Sequence, residues 1–192
     1  NQIELAKNLF TKKNKIFGSC WGLHVLVTAA GGKIRKNPKG LEAVVAENIQ
    51  INQEGLSHKL YKDKNKSFDA FCWHYDETET IPENSKILAS NNISSVQALS
   101  FTKKNSEIWA VQYHPEFDPF WMSNLMNQRK KILIDNNIYK NQKEFESYHR
   151  YLSNIKKYDN MKKKLDIKQN LLDQKMHSLE LINWIKLIKD EL

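Results

Sequence analysis

The chain has 192 residues, 40% of them hydrophobic, and a formal net charge of +8, which is enough for a folded domain with a core and an appendage. No run reaches the roughly 18–20 apolar residues that cross a bilayer. The amino-terminal "NQIELAKNLFTKKNK" reads as an amphipathic helix without the apolar centre of a secretion signal. Two cysteines, Cys20 and Cys72, lie far apart, with neither metal-ligand nor disulfide spacing, so the expectation is a cytoplasmic protein with no metal and no cofactor. The basic charge is spread over "KKNK", "KDKNK", "NQRKK" and "NMKKK", and arginine, the better reader of phosphates and bases, is scarce. A solvated lysine-rich surface is therefore expected, with neither nucleic acid nor membrane as partner.

In chain order, "KIF" reads as the end of a buried strand and "GLHVLVTAA" as a helix. Gly18 and Gly22 flank the join, and Gly31 and Gly32 end the helix. "EAVVAENIQI" alternates as a strand would, and "SHKLYKD" suggests a short helix. Short strands follow in "SFDAFCWHYD", "KILAS", "SVQALSF" and "EIWAVQYH", separated by the turn-forming "PENS", "NNIS" and "KKNS". From about residue 119 the pattern is helical, in "FWMSNLMNQRKKILIDNN", "NQKEFESYHRYLSNIKKYDNMKKKL" and "HSLELINWIKLIKDEL". Trp184, Ile185 and Ile188 predict the core-facing stripe of the last helix.

Chemistry concentrates in two places. In "KIFGSCWGLHVLV" a cysteine sits where a strand turns sharply into a helix. Such a turn exposes its apex, and the helix dipole favours a thiolate there. Cys20 is accordingly either a nucleophile or, as most free cysteines are, a small buried hydrophobe. In "WAVQYHPEF", residues 109–117, a strand is expected to run to His114 and stop at Pro115. His114 could take a proton from a cysteine while Glu116 fixes its tautomer. Alone, His114 would read as an ordinary hydrogen-bonded histidine.

Taken together, "GSCWGLH" and "QYHPEF" resemble the class I glutamine amidotransferase domain, with its G-x-C-x-G-x-Q and H-P-E marks. The intervening "WHYDETETIPENSKILASNNISSVQAL" is similar to the family's S-H-x-D-x-V stretch and its continuation. The resemblance covers about residues 8–118, and the helical tail resembles that of stand-alone, GMP-synthase-like members. It implies an α/β fold with a flavodoxin-like open sheet, a core over 1–118 and a helical extension over 119–192. It also implies catalytic Cys20, His114 and Glu116, a substrate pocket including Trp21, His24, Trp73, Tyr75 and Asp76, and a Trp21 backbone N–H that stabilises an oxyanion. His74 falls in the same motif, and Asp76 is expected near the substrate α-ammonium. The implied substrate is glutamine, whose side-chain amide is hydrolysed through a γ-glutamyl thioester. The ammonia would pass to an acceptor held by a synthase or other partner.

Two departures shape the expectation. His24 stands where the family has glutamine, a residue that helps hold the substrate's amino-acid end. Only 19 residues precede Cys20, whereas members carry further strands and a Gly-rich oxyanion loop there. The chain is therefore expected to be an N-terminally truncated fragment, impaired by the lack of that loop. Two rival readings stand beside this one: hydrolysis of other γ-glutamyl amides by the same triad, and a catalytically silent binding protein.

Overall fold

A computed structural model describes residues 1–161, 165, 167 and 169–189. The chain opens with α1 (Gln2–Phe10), β1 (Lys15–Ser19), α2 (Trp21–Ala29), β2 (Lys33–Lys36) and β3 (Glu42–Ile51). A short α3 (Gln53–Ser57) and a 3-10 turn at Lys59–Tyr61 lead to β4 (Ser67–His74) and β5 (Asp76–Thr80). Then come β6 (Lys86–Ser90), β7 (Ala98–Lys103) and β8 (Ser106–Val111). Beyond them the described elements are helical: α4 (Pro119–Gln128), α5 (Lys130–Asp135), α6 (Gln142–Ser153), α7 (Gln169–Leu172), α8 (Gln174–His177) and α9 (Leu179–Lys189).

Six strands form one open sheet in the order β1-β8-β7-β6-β3-β4. Its β1–β8 pair is parallel, with Ser19 opposite Val111, and its remaining pairs are antiparallel. The sheet is covered on both faces, and β8 shows how. Ile108 and Ala110 pack with Phe10, Leu23 and Val27 under α1 and α2. Trp109 and Val111 point the other way, into a cluster that includes Leu187 of α9 and the flanking Phe17 and Trp184. A third cluster joins Val44 and Phe71 of the sheet to Met122, Phe145 and Tyr151 of the following helices. Each fully buried Phe or Leu in these layers contributes about 1.5–3 kcal/mol. Among the described residues, no helix is long and apolar enough to cross a membrane.

The expected strands are present, with shifted ends. β8 stops at Val111, three residues before His114, so Pro115 does not end it. The backbone stays tied there without regular pairing: Gln112 N–H donates to Gln97 O at 2.8 Å, and His114 N–H to Phe71 O at 2.8 Å. The β2–β5 pair is a second, two-stranded sheet. Its sequences, "KIRK" and "DETET", carry ion pairs such as Arg35–Glu77 rather than apolar alternation, which hides them from a hydrophobic reading. "SHKLYKD" splits between the end of α3 and the 3-10 turn, while the stretches from 120 and 141 break into α4 plus α5 and into α6 plus turns. The parts of the expected tail at 162–164, 166, 168 and 190–192 lie outside the described residues.

The last helix corrects the expected stripe. Its buried face is Leu179, Glu180, Asn183 and Leu187, while Ile185 is 45% exposed and Trp184 is partly buried against Phe17. Two polar residues occupy core positions, so an apolar stripe points to the wrong arc of the helix.

Candidate active site

The parallel β1–β8 pair brings two chain ends to the same edge of the sheet. β1 ends at Ser19 and delivers Cys20, whose backbone N–H donates to Val111 O at 2.8 Å. Cys20 then begins α2 with φ 48° and ψ −103°. A non-glycine residue there is strained, at a cost on the order of 1–3 kcal/mol, and persists only where the surroundings impose it. The sharp strand-to-helix elbow is present. Gly18 makes it possible: a Cβ there would lie 2.5 Å from Leu26 Cδ1 and 2.9 Å from the Gly22 carbonyl carbon. Gly22 is not needed in the same way, since a Cβ there would meet nothing within 4 Å.

The elbow differs from expectation in its exposure. Cys20 is only 8% exposed. Its thiol donates toward Trp73 O at 3.6 Å, and Gln112 Nε2 donates toward the sulfur at 3.9 Å. Burial pushes the thiol pKa up to about 11; the Trp21 backbone N–H pulls it down, nearby Glu116 pushes it up, and the Gln112 amide pulls it down. The helix N-terminus thus acts in the expected direction, but desolvation outweighs it. The resting site holds a thiol.

The second arm follows β8. His114 Nδ1 is 2.7 Å from Glu116 Oε1, and Ser19 Oγ donates to the same oxygen at 2.9 Å. Burial pushes the Glu116 carboxyl up, but His114, its own backbone and Ser19 outweigh it and leave the pKa below the ordinary carboxylate value. The carboxylate is thereby kept ionised and aimed at the imidazole. With Nδ1–H committed to Glu116, Nε2 is the nitrogen left for proton exchange. The imidazole stacks on Phe117 at 3.8 Å between centroids, and Phe117 in turn packs on Trp121 at 3.9 Å. Asp118 Oδ1 accepts the Trp121 N–H at 2.6 Å with Pro119 in the first turn, and so starts α4 immediately after the site.

His24 lies one turn after Cys20, and its Nε2 is 2.9 Å from Gln112 Oε1. Burial lowers its pKa below the ordinary imidazole value, against the opposing hydrogen bond from Gln112. The neutral ring therefore donates to Gln112, and Gln112 donates to the thiol. Gln112 was missed by sequence reasoning although it lies two residues before His114. That spacing puts the two side chains on one face of an extended chain, and this was the available signal.

The remaining pocket residues divide. Trp21, His24 and Asp76 line one cavity of about 380 Å³, together with Val25, Thr28 and Ile34. Trp21 is 62% exposed, and its Nε1 donates to Gln2 Oε1. Trp73 reaches the site through its carbonyl, while its ring packs against the third cluster. Tyr75 stands exposed, and its carbonyl accepts the Asn37 N–H at 2.8 Å. His74 is turned inward: Nε2 meets Glu42 Oε2 at 2.7 Å and Nδ1 meets Asp76 O at 2.9 Å. It ties β4 to β3 and to the start of β5.

The fold and the edge-sited elbow define a class: open-sheet α/β proteins with a cysteine at a strand–helix turn. The chain belongs to the glutamine amidotransferase class-I family, whose description matches residues 1–130. It is 29% identical over 141 residues to the gamma-glutamyl-L-1-hydroxyisopropylamide hydrolase of a Pseudomonas species, covering 72% of this chain and 48% of that protein. It is 34% identical over 116 residues to the glutamine-hydrolyzing GMP synthase subunit of Methanococcus aeolicus, covering 60% and 56%. The chain thus spans about half the length of these curated relatives. Among solved structures, a glutamine amidotransferase from Thermotoga maritima superimposes with a TM-score of 0.68 at 15% identity, over 96% of this chain and 68% of that one. That likeness bears out the expected α/β open-sheet fold.

Proposed function

We propose that the protein hydrolyses the side-chain amide of glutamine through a γ-glutamyl thioester on Cys20, releasing ammonia. The observation that carries this reading is the strained elbow at Cys20, just past the end of β1, whose parallel partner β8 leads to the hydrogen-bonded His114–Glu116 pair. The Cys20 proton passes to His114 Nε2 as the sulfur attacks the amide carbon, and the Trp21 N–H stabilises the resulting oxyanion. His114 then gives its proton to the departing nitrogen, and the C–N bond breaks to leave ammonia and the thioester. Water, deprotonated by His114, attacks the thioester; the thiol recovers the proton and glutamate leaves. Glu116 orients the imidazole and stabilises its charged form.

Asp76 is the group we assign to the substrate α-ammonium, supported by its place with Trp21 and His24 of α2 in one cavity, whose lining also includes Gln2 and Ile3 of α1. The GMP synthase relatives support a partner that consumes the ammonia. The organisation into a core over 1–118, a helical extension over 119–192 and a cytoplasmic location belongs to the same proposal. A second reading, hydrolysis of other γ-glutamyl amides without ammonia delivery, is favoured by His24. It replaces the family's glutamine and is engaged with Gln112. The hydrolase relative from Pseudomonas points the same way.

A glutamine-shaped diazoketone tests the proposal. Label on Cys20, none on Cys72 and turnover of glutamine support it. Absence of both label and turnover overturns it in favour of a silent binding protein. Turnover of γ-glutamyl alkylamides with glutamine untouched selects the second reading.

A further inference from the structure

The polar residues on the inner face of α9 do not touch the reacting groups, yet one of them, Glu180, reaches the residue next to His114. Beyond β8 the extended chain still alternates. Gln112 faces His24 and Cys20, Tyr113 faces the opposite side, and His114 returns to the site. The Tyr113 hydroxyl donates to Glu180 Oε1 at 2.6 Å, and the Tyr61 hydroxyl lies 2.9 Å from it. Glu180 Oε2 accepts Lys64 Nζ at 3.0 Å, and Lys64 also donates to Met176 O at 2.8 Å. The Lys64 and Glu180 side chains are 1% and 0% exposed. Burial, and the charge of Glu180, hold both phenols protonated, so the bonds run in one direction, from Tyr61 to Tyr113 to Glu180.

We propose that Glu180 is a positioning residue for this site: through the Tyr113 hydroxyl it fixes the backbone that presents His114. A buried ion pair gains little stability over well-packed apolar side chains, because desolvating both charges offsets their attraction. It does impose geometry. Groups from the 3-10 turn, Lys64, the chain just beyond β8, α8 and α9 must meet in one cluster, and Tyr113 can move only by breaking the chain. One turn further along α9, Trp184 packs on Phe17 at 5.9 Å between centroids, three residues before Cys20. Asn183 donates to Leu60 O and Lys62 O at 3.0 and 2.9 Å. One helix thus braces the strands that carry both the nucleophile and the base. The inference rests on the proposed roles of Cys20 and His114.

The test compares the protein with Tyr113→Phe and with the double variant Lys64→Met/Glu180→Met, which replaces the ion pair by apolar side chains of similar length. The imidazole resonances of His114, assigned with His114→Gln, are recorded beside glutamine turnover. In both variants kcat is expected to fall roughly ten- to a hundredfold, the scale of a small misplacement, with KM within about twofold. The His114 Nδ1–H resonance is expected to broaden and move toward that of a free imidazole. Folded variants with unchanged kcat and an unchanged His114 resonance overturn the proposal. Loss of the fold in both variants also overturns it, since the cluster would then be core and nothing more. A wild-type protein that leaves glutamine intact defeats the amidase reading alone. In that case the His114 resonance still decides whether Glu180 positions the ring.

Discussion

Cys20 and Cys72 are both free and both buried, and burial raises the pKa of each. Cys72 lies within β4, opposite Val44 of β3, with no exposure. Cys20 lies at a backbone turn that its own side chain disfavours, at the start of α2, with the Glu116 charge near enough to raise its pKa. Burial and protonation are therefore shared properties that do not separate Cys72 from the proposed nucleophile. Backbone strain and directed neighbours separate them. A cysteine in a strand needs only to fill space, whereas one at φ 48° is held there against its preference.

The largest effect that would break this contrast is in Cys20→Ala. Hydrolysis of glutamine should fall at least about 10³-fold while the melting temperature near neutral pH changes little, because the deleted sulfur is small. The variant should also flatten the alkaline side of the stability profile. The folded-state pKa of Cys20 is raised from about 9 to about 11, so the stability its protonated thiol contributes is complete below pH 9. It is lost as pH rises toward 11. Thermal melts between pH 8 and 11 should show the wild type losing more than the variant, and an identical slope would contradict the burial argument.

Gly18→Ala attacks the elbow rather than the sulfur. Its Cβ would press on the Gly22 backbone, which cannot yield as a side chain can, so a loss of about 1–3 kcal/mol is expected by denaturant titration. Activity should fall further than the unfolded fraction explains. Cys72→Ser sharpens the other side of the comparison. A hydroxyl placed in the apolar cluster around Cys72 should cost about 1–3 kcal/mol, with kcat per folded molecule unchanged. A fall in kcat without unfolding would move the chemistry to the wrong cysteine.

The smallest expected effect is at His24. Its folded-state pKa is lowered by burial, so the stability of the neutral ring is present above about pH 6.5 and lost as pH falls through the folded value. The His24–Gln112–Cys20 chain should loosen over the same range. KM for glutamine is expected to rise in the wild type below that pH and to stay flat in His24→Gln. Equal pH profiles would reduce His24 to part of the wall.

Much of the candidate site was legible in the residues. The glycines around a cysteine and the short H-P-E run are local features, and each marks a backbone event that its own few residues impose. The strands "EIWAV" and "KILAS" were equally local, as short apolar runs bounded by turn residues. The β2–β5 pair was not legible, since its strands are held by charge pairs and by neighbours distant in sequence. Gln112, Tyr113 and Glu180 escaped notice for a related reason. A polar residue in a helix or loop reads as solvated until the fold supplies it with a buried partner.

By itself, then, the sequence marked which residues could react and most, though not all, of the strands and helices. Those follow from side-chain chemistry, from periodicity and from the conformational freedom of glycine. Tertiary structure alone decided that the elbow is desolvated and its thiol protonated, that His24 serves Gln112, and that α9 buries Glu180 against Tyr113 and Lys64. Burial and hydrogen-bond partnership depend on segments that are far apart in the chain and meet only when the sheet and its covering helices have packed.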